Sequence, residues 1–226
     1  MEVVYEDNHL LIVNKAPGEI VQGDKTGDEP LSESLKRWLK TKYDKPGNVF
    51  IGVTHRLDRP VGGLVVFAKT SKALARMNEM FRNGEVHKTY WALTRNLPLD
   101  PEGRLEHYIT TIERTNKSTA WTTQRPGSKR AALSYRHIAS SERFHLLEIN
   151  LETGRKHQIR VQLAAIGCPI KGDLKYGDKR SNPDGSISLL ARHIEFVHPV
   201  SRETVSVTAP VPASWKGFEH LDNPTT

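Results

Sequence analysis

The stretch His55-Arg56-Leu57-Asp58-Arg59-Pro60-Val61-Gly62-Gly63-Leu64 places one carboxylate between two arginines, adds a glycine pair and runs into the apolar segment Leu64 to Ala68. Nearby positive charge favours the ionised form of a carboxylate, so Asp58 reads as a nucleophile or base at neutral pH. Glycine meets no Cβ penalty, and Gly62-Gly63 therefore predicts backbone that turns tightly or approaches a ligand closely. The same residues also suit a surface ion pair beside a turn, and only the rest of the chain separates the two readings.

Two further clusters bear on that choice. Thr153-Gly154-Arg155-Lys156-His157-Gln158-Ile159-Arg160 leads into helical spacing at Ile159, Leu163 and Ile166. Basic side chains and backbone N–H groups at a helix start favour phosphate or carboxylate. Arg160 falls at the edge of the buried face, where it can pair with an acid. The segment His87-Lys88-Thr89-Tyr90-Trp91-Ala92-Leu93 reads as a strand in which Lys88 and Tyr90 share a face. Tyr90 offers a flat surface for stacking and a hydroxyl for proton transfer, although a strand tyrosine equally suits half-buried packing.

Short β-branched runs predict strands at Val3 to Tyr5, Leu10 to Val13, Leu64 to Ala68 and Tyr90 to Leu93, with alternation at Leu147, Ile149, Leu151 and at Val205, Val207. Helical spacing appears at Leu31, Leu35, Trp38, Leu39, then at Leu74, Met77, Phe81 behind a Ser71 cap, and in the segment after His157. Strands come in groups without a regular βαβ rhythm, which predicts an α+β fold with a mainly antiparallel or mixed central sheet flanked by helices. Loops are marked at Lys45 to Asn48, Arg125 to Ser128 and Ser181 to Gly185. A single domain over residues 1–226 is expected, with a flexible tail from about residue 221.

Thirty-three Lys and Arg against 26 Asp and Glu give a formal charge of +7, which suits a polyanionic partner and equally an ordinary solubility charge. The only cysteine is Cys168, so an intrachain disulfide and a Cys-rich zinc site are excluded, and a cytoplasmic location is expected. No stretch reaches the ~18 apolar residues of a membrane span, and no leader is evident, so neither membrane nor secretion is expected. Gly-x-Ser-x-Gly, His-Glu-x-x-His and Walker motifs are lacking, which argues against the common hydrolase classes. His193 and His198 lack a third ligand in sequence, and no metal is expected. A glycosidase would need a second acid near Asp58; Asp173 is the nearest candidate and reads as a turn residue instead.

Taken together, these segments resemble the RluA-type pseudouridine synthases, whose catalytic segment reads roughly His-Arg-Leu-Asp-x-x-Thr-Ser-Gly-Leu. The resemblance runs from about Val4 to about Pro199. It extends to Asn14-Lys15-Ala16-Pro17-Gly18 and to Gly167-Cys168-Pro169-Ile170-Lys171-Gly172-Asp173. It puts Asp58 on the catalytic aspartate, Tyr90 on the active-site tyrosine of a Lys-x-Tyr motif, and Arg160 on the arginine that pairs with the aspartate. Val61 and Gly62 stand where Thr and Ser are usual, Gln162 where His is common, and Leu190 where His often precedes Ala191. The S4-type RNA-binding domain that precedes many relatives is expected to be absent.

The resemblance implies isomerisation of uridine in ribosomal or transfer RNA within a catalytic cleft, without metal or redox cofactor. Asp58 would attack the sugar or ring, or take a ribose proton; Arg160 would keep it ionised; Tyr90 would stack on the flipped base and serve the deprotonation at C5. Arg56, Arg59, Lys88, Arg155 and His157 are the candidate RNA contacts. Lys36, Arg37, Lys40, Arg130, Lys171 and Lys175 would add wider attraction. A monomer without an obligatory protein partner is expected. The competing reading is a catalytically silent RNA-binding module of the same fold.

Overall fold

The computed structural model describes residues 2–222, so residues 223–226 of the expected tail lie outside the described residues. The chain divides into two compact units. The first comprises the chain to His87 together with His193–Ala209; the second comprises Lys88–Arg192 and the chain from Pro210.

In the first unit, β1 (Glu2–Glu6) and β2 (Leu10–Lys15) form an antiparallel hairpin. Asp7 makes the turn, its Oδ1 accepting from the N–H groups of His9 and Leu10 at 2.7 and 2.6 Å. The two-residue β3 (Gly52–Val53) and β4 (Gly62–Ala68) follow, and β2 pairs antiparallel along the whole of β4. Leu10 to Val13 of β2 are fully buried, and every residue of β4 is buried. A run apolar at every position, rather than at alternate ones, is what a strand covered on both faces requires.

Helix α1 (Leu31–Lys42) buries Leu31, Leu35 and Leu39, and α2 (Ser71–Asn83) buries Ala73, Met77 and Met80. The cap of α2 is Thr70, not Ser71: the Thr70 hydroxyl accepts from the N–H of Ala73 at 3.1 Å, and Ser71 is the first helical residue. Both residues can cap, and the extended backbone of Thr70 (φ −139°) decides between them. The last five residues of β10 (Leu189–Val197) pair with β11 (Thr204–Thr208).

The second unit carries five antiparallel strands in the order β5-β9-β8-β6-β7: β5 is His87–Thr94, β6 Glu102–Ile112, β7 Lys117–Trp121, β8 Lys129–Ser140 and β9 His145–Leu151. Helix α3 (Gln158–Ala165) packs on β6 and β7, where Ile109, Ala131, Val161 and Tyr176 form a buried cluster. The α+β class and the antiparallel pairing agree with the expectation.

Strands β6, β7 and β8, like β3 and β10, are elements the apolar runs do not single out. The outward faces of β6 and β8 carry charges in ion pairs, Arg104 with Glu106 and Glu152, and Arg130 with Glu106. Apolar residues therefore occur at only some alternate positions, and the strand signal is diluted. Replacing Thr70 with Ala should lower stability by about 1 kcal/mol, whereas Ser71→Ala should cost under about half of that, as read by denaturant unfolding.

Candidate active site

Asp58 sits in the loop that feeds β4, and the first unit fixes that loop from three sides. His55 Nε2 accepts from the N–H of Val66 at 3.0 Å, and its ring packs on Phe81 with centroids 4.8 Å apart. The Asp58 carbonyl accepts from the N–H of Val61 at 3.0 Å, closing a turn over Arg59-Pro60, and the Arg59 carbonyl accepts from Gly18 N–H at 2.8 Å. Gly63 has φ +110°, a conformation that favours glycine, and a Cβ on Gly62 would lie 3.3 Å from Pro17 Cδ. Gly63 thus needs the conformational freedom of glycine, and the close approach at Gly62 is to Pro17.

Beneath the turn lies Lys15, at 1% exposure one of the largest fully buried side chains among the described residues. Its Nζ donates to the carbonyls of Ala16, Arg59 and Val61 at 2.9, 3.2 and 2.7 Å. Burial pushes its pKa down from 10.5 to about 8, partly opposed by the charges of Glu19 and Asp58. The ammonium therefore sits in the floor of the Asp58 turn. In sequence Lys15 falls within the matching segment Asn14 to Gly18, and a lysine that ends an apolar strand just before Ala-Pro-Gly is a usable signal.

Of the flanking arginines, Arg56 is exposed, while Arg59 is half-buried and held by acids. An Arg59 Nη2 donates to Asp28 Oδ2 at 2.6 Å and to the Thr26 hydroxyl at 2.8 Å, with Asp24 at 3.8 Å.

In the second unit, Tyr90 is buried on β5 opposite Ile149 of β9. Lys88 is half-buried, and desolvation lowers its pKa. Gln158 ties the turn before α3: its Oε1 accepts from Thr153 Oγ1 and Arg155 N–H at 2.8 and 2.9 Å, and its Nε2 donates to the Ala132 carbonyl at 3.0 Å. Arg155 lies exposed on that turn, its Nε donating to the Arg130 carbonyl at 3.0 Å.

His157 takes a left-handed backbone (φ 56°) and is buried, sharing a 2.7 Å hydrogen bond between Nδ1 and the Tyr176 hydroxyl. Arg160, also buried, donates from Nε and Nη2 to the two oxygens of Asp173 at 2.7 and 2.9 Å. The structure thus brings His157 and Arg160 together around Tyr176 and Asp173. Asp173, expected to be a plain turn residue, is the buried acid that receives Arg160; Tyr176 had not been singled out. Among the described residues, no group of three His, Cys, Asp or Glu side chains is placed to hold a metal ion.

Comparison with known proteins bears on what these residues serve. The family model described as RNA pseudouridylate synthase matches residues 9–165. The chain belongs to that family. The tRNA pseudouridine synthase C of Vibrio vulnificus is 31% identical over 245 residues, spanning 100% of this chain and 97% of its own. An uncharacterized RNA pseudouridine synthase of Bacillus subtilis, YhcT, is 33% identical, over 96% of this chain and 71% of its own. Among solved structures, human RNA pseudouridylate synthase domain containing 4 shares the fold with a TM-score of 0.77 at 23% identity, covering 94% of this chain and 89% of that one. The pseudouridine synthase is accordingly an RNA-modifying isomerase of the RluA type.

Lys15 yields a prediction with a defined sign. A lysine whose pKa falls from 10.5 to about 8 on folding binds fewer protons in the folded state between those values. Its contribution to stability therefore rises with pH across that window and is least favourable below about 8. In denaturant titrations from pH 7 to 10, the wild type should gain stability relative to Lys15→Met as pH rises. Parallel curves would show that Lys15 titrates normally.

Proposed function

We propose that this enzyme isomerises uridine in structured ribosomal or transfer RNA to pseudouridine, with Asp58 as the catalytic carboxylate. The observation that carries the proposal is the placement of Asp58: the one acid of the His55 to Leu64 segment stands on a turn braced by Lys15 and the glycine pair, in a chain of this family. A relative named as a tRNA enzyme and another named as a ribosomal large subunit enzyme, the pseudouridine synthase D of Zymomonas mobilis at 32% identity, support both RNA classes.

The reaction breaks the bond from N1 to C1′, rotates the uracil, forms the bond from C5 to C1′, and moves the C5 proton away while N1 regains one. Atoms balance without an oxidant or reductant. Asp58 takes part as nucleophile or base at the sugar or ring. Tyr90 stacks on the everted base and serves the departure of the C5 proton. Arg160 supplies a fixed positive charge that the reaction requires. Unstacking the uridine costs a few kcal/mol, which stacking and backbone contacts offset.

Arg56, Arg59, Lys88, Arg155 and His157 are assigned to RNA. Their burial orders them: Arg56 and Arg155 are exposed and offer immediate phosphate contacts, whereas Arg59 must exchange Asp28 for phosphate. An exposed ion pair of this kind is worth about 0–1 kcal/mol, so the exchange is cheap. Lys88 is half-buried and His157 buried, and they act closer to the target nucleotide. The enzyme works as a cytoplasmic monomer. Among the described residues, no helix is long and apolar enough to cross a membrane.

Tritium release from unmodified RNA labelled at uridine C5 tests the proposal directly. Release by the wild type, loss with Asp58→Asn and no free uracil are the expected outcome; free uracil would make the protein a glycosidase, and equal release by the variant would remove Asp58 from the chemistry. For the outer contacts, Arg56→Ala should weaken binding to unrelated RNAs alike and reduce the slope of log affinity against log salt by about 1.

A further inference from the structure

We propose that Asp173 and Tyr176 are positioning residues for the reaction, which hold the Arg160 guanidinium in a single orientation. The inference rests on the reading of Arg160 as a residue the reaction requires.

Asp173 engages one edge of the guanidinium, Nε and Nη2, through two short charge-assisted bonds, with side-chain exposures of 6% for Arg160 and 1% for Asp173. The guanidinium is planar and its donors form a rigid fork, so seating one edge fixes the direction of the Nη1 donors on the other. Tyr176 supplies the second constraint: its ring centroid lies 5.0 Å from the guanidinium carbon. That ring is itself held, because its hydroxyl accepts from the N–H of Ser118 at 2.8 Å and bonds His157 Nδ1 at 2.7 Å.

The backbone beneath is equally constrained. The Asp173 carbonyl accepts from the N–H groups of Tyr176 and Asp178 at 3.1 and 3.0 Å, and Gly172 N–H donates to Asp178 Oδ2 at 2.6 Å. Gly172 has φ +89°, and a Cβ there would meet the Ser186 carbonyl at 2.7 Å, so only glycine fits. Asp173 is thereby presented to Arg160 by a turn with little freedom.

Stability alone is a poor account of this arrangement. Replacing a buried ion pair with apolar residues of similar volume is often neutral or stabilising, so a bidentate pair with a stacked floor is better understood as an orienting device. Removing one partner leaves an uncompensated buried charge, so Asp173→Asn and Arg160→Ala both carry a risk of misfolding that Asp173→Glu, which keeps the charge, reduces, while Tyr176→Leu keeps the ion pair but orphans the Ser118 N–H and His157 Nδ1.

Single-turnover kinetics on one RNA substrate, with folding checked by circular dichroism, decide the matter. Asp173→Asn or, if it fails to fold, Asp173→Glu should lower the rate at saturation at least about tenfold while RNA affinity stays within about twofold. Tyr176→Leu should give a smaller loss of the same kind. Introduced into Arg160→Ala, each substitution should change the residual rate by less than about twofold, because its effect passes through Arg160. A folded Asp173 variant with the wild-type rate, or an equal loss in the Arg160→Ala background, overturns the positioning role. A wild-type rate for Arg160→Ala itself overturns the reading on which the proposal rests.

Discussion

Burying the Lys15 ammonium is the constraint around which the first unit is arranged. Taking an ammonium out of water costs several kcal/mol unless its donors are met. Here three carbonyls meet them, those of Ala16, Arg59 and Val61. The dependence also runs the other way. The turn contributes two of the three, the carbonyls of Val61 and of Arg59, which also accepts from Gly18 N–H, and a buried carbonyl left without any donor carries a penalty of about 1–3 kcal/mol. Lysine and turn therefore require each other, and Asp58 inherits its place from the turn. The strand ladder from β2 to β4 continues the same constraint, since Lys15 is the last residue of β2 and pairs with Gly63 of β4.

The second unit solves a similar problem with an ion pair in place of carbonyls. Arg160 enters from the first turn of α3, and its charge is met by Asp173 from a glycine-dependent turn. Both sites hold a buried cation on backbone that cannot readily shift. This matters for chemistry that depends on fixed charge, because preorganised groups need no reorganisation as the reaction proceeds. A loosely held cation would spend part of its effect on being ordered first.

How much of this the sequence disclosed follows from what periodicity and motifs can carry. The apolar runs at Leu10 to Val13 and Leu64 to Ala68 announced β2 and β4 because both faces of those strands are covered. Helices α1, α2 and α3 were legible from their apolar spacing, while the cap of α2 was misplaced by one residue because Thr70 and Ser71 offer the same chemistry. Asp58, Tyr90 and Arg160 stood out through motif resemblance rather than through composition. Asp173 stood out only as a turn residue and Tyr176 not at all, since an aspartate after glycine looks like any turn, and which buried arginine it meets depends on tertiary packing 13 residues away in sequence.

The same limit applies to the arginines, and burial resolves it. Arg59 and Arg160 each bind an aspartate through charge-assisted hydrogen bonds, 2.6 Å for Arg59 with Asp28 and 2.7 Å for Arg160 with Asp173. Distance does not distinguish them. Exposure does: the Arg59 and Asp28 side chains are 39% and 57% exposed, those of Arg160 and Asp173 only 6% and 1%. A pair open to solvent is screened by salt and can trade its carboxylate for a phosphate at little cost. A pair sealed from solvent cannot, because any exchange would leave one charge buried alone. Arg59 is thus suited to meeting a polyanion that arrives and departs, and Arg160 to holding one geometry throughout, a division of labour that two identical residue types acquire only from where the fold puts them.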